Sequence, residues 1–294
     1  MADSMTSVAS EYYGARAATR LVRLGLRVSE KIWPAFAARV AHKLFCTPLP
    51  LKWANRKASK WEGWKIQFWP FELATLTVYS LKDDTRPVAL LVHGWGGHAA
   101  QMLPLAQQID AAGLRPIIIE MPAHGRSGGA RSSLPQFARA VNYVAARVAE
   151  RGIKVQALVA HSLGANASAY AIGRGASVER LVLIAPPASP IAYTRVFAHA
   201  FALRESTRAA MQQNVEAREG ITMSQFEPAA SADRPSAPTL VVHDRGDRVN
   251  PFADGEAFAR HIDGATLIAT TGLGHRRILS DAGVMQAVAR FVAA

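Results

Sequence analysis

A serine set between an apolar run and a stretch of small residues constrains this chain more than any other feature. Val155-Gln156-Ala157-Leu158-Val159 reads as a buried strand, Ala160-His161-Ser162-Leu163-Gly164 follows, and Gly164 to Ala169 are mostly small. Tiny residues two positions either side of Ser162 let a strand turn sharply into a helix, because larger groups there collide with the neighbouring strand and helix. Such a turn strains the serine backbone and stands Oγ at the sheet end, at the N-terminus of the next helix. The helix dipole and free N–H groups there favour developing negative charge. The first small position is Ala160 rather than glycine.

A serine presented in this way needs an oxyanion donor upstream, and an acid and a histidine downstream in that order. Upstream, Val88-Ala89-Leu90-Leu91-Val92 runs into His93-Gly94-Trp95-Gly96-Gly97, a glycine-rich loop able to turn a backbone N–H towards the serine. Downstream, the apolar run Thr239 to His243 ends in Asp244-Arg245-Gly246-Asp247. The last apolar run, Ala265 to Thr270, is followed by Gly272-Leu273-Gly274-His275.

On these residues, and on Pro122-Ala123-His124-Gly125-Arg126-Ser127, the chain resembles the α/β-hydrolase superfamily, in particular its bacterial serine esterase and lysophospholipase-like members. The resemblance covers roughly residues 65 to 294. It implies Ser162 as nucleophile, His275 as base and Asp247 as the acid that orients it, with the Trp95 and Leu163 amides as oxyanion donors. Asp244 is the rival acid. Asp247 is preferred because the superfamily places its acid several residues past the strand. His93 and His124 fall in loops where the superfamily uses histidine structurally.

The expected fold is α/β, with a doubly wound, mostly parallel sheet. Lys65–Trp69 and Ala74–Leu81 alternate as an edge hairpin. Strands follow near 88–92, 116–120, 155–161, 180–185, 239–243 and 265–270, with helices near 99–112, 134–151, 164–174 and 282–293. Between Pro187 and Pro238 the rhythm breaks. Ile191–Leu203 and Ser206–Arg218 read as short helices closed by Gly220, a cap insertion at about 188–237 in a domain spanning 61–294. Phe197, Phe201, Met211, Met223 and Phe226 supply apolar surface there. Trp95, Phe197, Phe201 and Met223 are taken as the substrate-binding set.

Residues 1–60 form an N-terminal helical extension. Residues 1–65 hold 12 Lys and Arg against four acids, and so +8 of the chain's net charge of +12. Arg16, Arg20, Arg23, Arg27 and Lys31 form one helical stripe. Ala17, Leu21, Leu24, Val28 and Ile32 lie beside it, widened by Val22, Leu26 and Trp33. Pro34 opens the next helix, to about Phe45. The apolar face is too wide to leave uncovered, so docking on the body with the basic edge in water is expected. Lying on an anionic membrane surface is the second reading. Nucleic acid is not expected as a partner, because no recognition motif accompanies the charge.

The single cysteine, Cys46, excludes an internal disulfide and reads as a buried apolar thiol. The first fifteen residues contain Asp3 and Glu11 and no apolar core, so a secretory signal is not expected and the cytoplasm is the default location. No histidine has a partner at ligand spacing, and Gly94 to Gly97 lacks a dinucleotide fingerprint, so neither metal nor cofactor is expected. The expected activity is hydrolysis of a small carboxylic ester of short to medium acyl chain through an acyl-enzyme on Ser162. An acyltransferase on the same scaffold, a membrane-surface lipid esterase and a non-catalytic binding protein are the alternatives. No feature bears on oligomeric state.

Overall fold

In a computed structural model, residues 9, 13, 17–49, 61–81, 85–231 and 237–294 are described. Eight strands form one sheet in the order β1-β2-β4-β3-β5-β6-β7-β8. These are β1 (Trp64–Phe71), β2 (Ala74–Leu81), β3 (Val88–Val92), β4 (Arg115–Glu120), β5 (Val155–His161), β6 (Arg180–Ile184), β7 (Thr239–Asp244) and β8 (Thr266–Thr270). β1 and β2 pair antiparallel and β2 meets β4 antiparallel; every other neighbouring pair is parallel. The mostly parallel α/β sheet expected from the strand and helix alternation is therefore present.

The central strands are continuous apolar runs because both of their faces are covered. Val88, Leu90 and Val92 of β3 pack in one cluster with Phe137 and Val141, whereas Ala89 and Leu91 pack in another with Leu105 and Ile109. One face carries α4 (Leu134–Ala149) and α5 (Leu163–Ile172); the other carries α3 (Leu103–Ala111) and α10 (Ala282–Ala293). Each wholly buried Leu or Ile in these clusters contributes roughly 1.5–3 kcal/mol. Leu90→Ala would cost about 2–5 kcal/mol by leaving a cavity between β3 and α4. Ahead of α3, residues Ala99–Met102 form a 3-10 turn, and Pro104 sits in the first turn of α3 proper. The expected helix over 99–112 is split there.

After β3 the chain moves to β4 on one side and then returns to β5 on the other. This reversal leaves a crevice beyond the carboxyl ends of β3 and β5, where open α/β sheets bind ligands. The 93–97 loop and Ser162 both emerge there.

The interval between β6 and β7 holds α6 (Pro190–Phe201), α7 (Glu205–Glu219), and 3-10 turns at Met223–Phe226 and Pro228–Ser231. Gly220 ends α7 in the left-handed region, φ 68°, as glycine does without a Cβ penalty. Two elements between β7 and α10 were not expected: α8 (Phe252–His261) and the one-turn α9 (Gly274–Arg277).

The N-terminal extension forms α1 (Ala17–Ile32) and α2 (Pro34–Phe45), with Pro34 opening α2 as expected. Arg16 and the expected boundary at residue 60 lie outside the described residues, as do residues 232–236 of the β6–β7 interval. One expectation is corrected. α1 does dock on α6, but through Leu26, Val22 and two polar groups, not through the Leu21, Leu24, Val28 and Ile32 face. Arg23 Nε donates to the Ala200 carbonyl at 3.1 Å, and the Arg204 amide donates to Glu30 Oε1 at 2.9 Å. The Ala200 carbonyl near the end of α6 and the amide of the next loop decide which side of α1 faces in.

Candidate active site

Ser162 lies between β5 and α5 with φ 55° and ψ −128°. A non-glycine residue there costs about 1–3 kcal/mol and persists only where its surroundings enforce it. They do: the Ser162 amide donates to Ile184 O at 2.9 Å, and the Ala165 amide donates to Ser162 O at 2.8 Å. A Cβ on Gly164 would lie 2.4 Å from the His93 carbonyl oxygen, and one on Gly94 would lie 2.7 Å from Ser162 Cβ. The small residues around the turn are therefore a packing requirement between two loops.

His275 is carried by α9 and reaches over the sheet edge. Its Nε2 stands 3.0 Å from Ser162 Oγ, and its Nδ1 stands 2.7 Å from Asp247 Oδ2. The Asp247 side chain is wholly buried, and its Oδ1 accepts from the Val249 and Asn250 amides at 2.7 and 3.0 Å. Those two bonds turn Oδ2 towards the imidazole. Asp244, the rival, faces elsewhere. Its Oδ1 accepts from the Gly246 amide at 2.9 Å, and its Oδ2 from Thr270 Oγ1 at 2.8 Å and the Leu273 amide at 3.0 Å. Burial pushes the Asp244 pKa up, but the Leu273 and Gly274 amides, the Thr270 hydroxyl and the Gly246 amide outweigh it, and the net shift is downwards. Asp244 thus ties β7 to the loop that carries His275.

Other histidines hold the loops in place. His93 Nε2 accepts from the Met121 amide at 3.0 Å and its Nδ1 donates to Gly94 O at 2.7 Å. Likewise, His124 Nε2 accepts from the Gly96 amide at 2.9 Å while Nδ1 donates to Pro122 O at 2.8 Å. Burial drives the His93 pKa down to about 4 and holds His124 well below the usual imidazole value. Both are neutral struts that pin the 93–97 loop to the end of β4. Burial likewise depresses His161, which donates from Nε2 to the His275 carbonyl at 2.9 Å.

Trp95, in the loop after β3, and Leu163, the first residue of α5, both line the same pocket as Ser162. That pocket has an empty volume of about 890 Å³, counting the part open to solvent. Leu134, Tyr193, Ile221, Met223 and Phe226 form much of its wall, and Tyr13, Phe45 and Cys46 bring the N-terminal extension into it. No described lining residue carries a charge.

Trp95 and Met223 therefore line the pocket into which Ser162 opens. Phe197 and Phe201 do not, which corrects the expected substrate-binding set. They lie one layer behind the wall with Met211: Phe197 packs edge-on to Tyr13 and Phe45 at 5.6 and 5.4 Å between ring centroids, and Phe201 to Tyr13 at 5.2 Å. The extension's own aromatic rings cover them, a contact between distant segments that helical periodicity does not reveal.

Sequence reasoning missed two polar residues. Asn250 Nδ2 donates to Ala185 O at 2.6 Å and its Oδ1 accepts from the Tyr193 hydroxyl, linking the Asp247 loop to the pocket wall. No local signal marks it. Buried Glu120 accepts from Tyr79 Oη, the Ala99 amide and the Arg126 amide at 2.9, 3.1 and 2.7 Å, and so secures the turn that holds His124. A carboxylate ending an apolar strand was the available clue.

This fold, with Ser162, His275 and Asp247 joined at the carboxyl ends of the strands, defines the class: the chain belongs to the α/β-hydrolase superfamily. Within it, the family model described as serine aminopeptidase, S33, matches residues 83–233, and one described as TAP-like protein matches residues 207–294. A monoacylglycerol lipase of Mycolicibacterium smegmatis is 40% identical over 57 residues, which is 19% of this chain and 20% of that relative. The chain thus matches about a fifth of the length of that curated relative. Among solved structures, an esterase of Pyrococcus furiosus aligns over 78% of this chain and 91% of its own, with TM-score 0.61 and 14% identity. Est1E of Butyrivibrio proteoclasticus aligns over 78% and 96%, with TM-score 0.57 and 16% identity. A thioesterase domain from the curacin biosynthetic pathway aligns over 79% and 99%, with TM-score 0.55 and 17% identity. At these identities the structural likeness concerns the fold.

Proposed function

We propose that this chain is a carboxylesterase-like serine hydrolase that cleaves carboxylic esters of short to medium acyl chain. One observation carries the reading: the continuous Ser162–His275–Asp247 relay, at 3.0 and 2.7 Å, opens into a pocket whose described lining is uncharged. Ser162 Oγ attacks the ester carbonyl carbon as His275 Nε2 takes its proton, and the carbonyl oxygen becomes an oxyanion facing the Trp95 and Leu163 amides. Collapse of this intermediate breaks the carbon–oxygen bond, and His275 returns the proton to the leaving alcohol. Water then repeats the sequence on the acyl-enzyme, releasing the acid and restoring Ser162. Asp247 keeps the imidazole in the tautomer with its proton on Nδ1 and stabilises the cation formed in each half.

The uncharged wall also argues for a neutral acyl group over a peptide with a free amino terminus, since an ammonium needs a nearby carboxylate to offset its desolvation. α6, α7 and the turns after them act as the cap, with Met223 and Trp95 against the acyl chain. The esterase and lipase names of the relatives support the same class. The reading includes a cytoplasmic location; among the described residues no helix is long and apolar enough to cross a membrane.

Labelling with a fluorophosphonate, followed by turnover of nitrophenyl esters of graded chain length, tests the proposal. Ser162→Ala is expected to abolish labelling and to lower turnover roughly 10³- to 10⁶-fold. Labelling that persists on another serine overturns it.

A further inference from the structure

Helix α1 has three distinct faces. Its inner face is fixed to the body by buried Leu26 and Glu30 and by the Arg23 bond to Ala200. Its outer face is apolar and open: Leu21, Leu24, Val28 and Ile32 are 70, 61, 48 and 78% exposed. At about 100° per residue these four share an arc of roughly 80°. Exposed Arg20, Arg27 and Lys31 fill the arc directly beside it. The patch continues onto the start of α2, where exposed Trp33 and Phe36 stack at 5.6 Å and the Arg39 guanidinium lies 5.7 Å from the Trp33 ring centroid. Glu30 is the only acid between residues 17 and 45, and it is buried against the body.

We propose that this outer face of α1 and the first turn of α2 docks the protein on an anionic lipid bilayer. An exposed apolar patch of this extent marks an interaction site. A row of aliphatic side chains edged by arginine and lysine, with a tryptophan at one end, suits the boundary between headgroups and acyl chains. The apolar row enters the boundary while Arg20, Arg27 and Lys31 meet lipid phosphates. With 16 residues and several charges, α1 lies on the surface and does not span it. A second copy of the chain fits poorly: antiparallel isologous pairing of α1 would set these basic rows against each other, and residues 17–45 hold no exposed acid to neutralise them. The patch is also tied to the pocket. α2 carries Phe36 near its start and Phe45, a pocket residue, at its end. Its 12 residues span roughly 18 Å, so a docked molecule holds its pocket wall near esters dissolved in the membrane.

The test is co-sedimentation of the full chain with phosphatidylcholine vesicles and with vesicles containing 30 mol% phosphatidylglycerol. The variant pairs are Leu24→Gln with Ile32→Gln, and Arg27→Ala with Lys31→Ala. All four side chains are exposed, so folding is retained, and circular dichroism and Tm check this. Binding to the anionic vesicles is expected to be at least tenfold tighter than to phosphatidylcholine, and to weaken in high salt. The apolar pair should lose at least tenfold, and the basic pair about 25-fold at low salt, at about fivefold per residue. Wild-type protein that stays in the supernatant with both vesicles overturns the proposal, as do variants that bind like wild type. A dimer in sedimentation equilibrium that the apolar pair dissolves, with no vesicle binding, reassigns the face to a second copy. None of these readouts uses turnover, so they stand apart from the ester-hydrolase reading.

Discussion

Gly94 and Ser162 lie so close that a Cβ on Gly94 would stand 2.7 Å from Ser162 Cβ and 3.2 Å from its Oγ. The contact joins the loop after β3 to the turn after β5, and both are backbone-limited. Gly94→Ala must shift one loop against the other. A displacement of this kind costs reaction geometry about 10²-fold, with roughly 1–3 kcal/mol of strain. Labelling rate and Tm should therefore both fall. Gly164→Ala, whose Cβ would meet the His93 carbonyl at 2.4 Å, should be at least as damaging.

Asp247→Asn is expected to lower kcat about 10⁴-fold, because an amide favours the wrong imidazole tautomer on His275. Asp244→Asn should leave the relay in place and act on stability. Its pKa is lowered in the fold, so its bonds contribute fully above the unfolded carboxylate range and the contribution is lost as pH falls through the folded value. At pH 7 the Asn variant should unfold at lower urea while retaining most turnover. A larger kcat loss in Asp244→Asn than in Asp247→Asn would reverse the two roles.

Asp254 is half-buried, and its Oδ2 accepts from the Ala188 amide at 3.0 Å. Burial raises its pKa to about 6, against the pull of that amide. A raised folded value means that the native state holds the proton more tightly than the unfolded chain. The stability from this group is thus present below about pH 4 and lost as pH rises to about 6. Asp254→Asn should abolish that fall, a difference on the order of 3 kcal/mol at most. Urea midpoints at pH 5 and 7.5 check it; an unchanged slope in the variant excludes Asp254 as its source.

Burial pushes the Cys46 thiol up to about 12, leaving little thiolate at neutral pH. Iodoacetamide should modify it at pH 8 about 10³-fold more slowly in native protein than in urea. Equal rates would mean that the extension does not close over the pocket in solution.

Elements that follow from local rules were legible in the chain. Apolar runs marked the central strands, Pro34 and Gly220 marked helix ends, and the small residues around Ser162 marked the sharp turn. The order of serine, acid and histidine was legible for the same reason, since each follows a strand end.

The tertiary structure decided matters that depend on distant neighbours. Asp244 ends β7 and Asp247 follows three residues later in the next loop, and only contacts with Thr270, Leu273 and His275 separate their roles. Periodicity marked the apolar row of α1, but the Ala200 carbonyl and the Arg204 amide set which side turned inward. Phe197 and Phe201 read as pocket residues until Tyr13 and Phe45, from another segment, covered them. A sequence pattern fixes the spacing of side chains along one element; the surface packed against that element comes from elsewhere in the chain, and it alone decides which of them are buried, exposed or brought to the site.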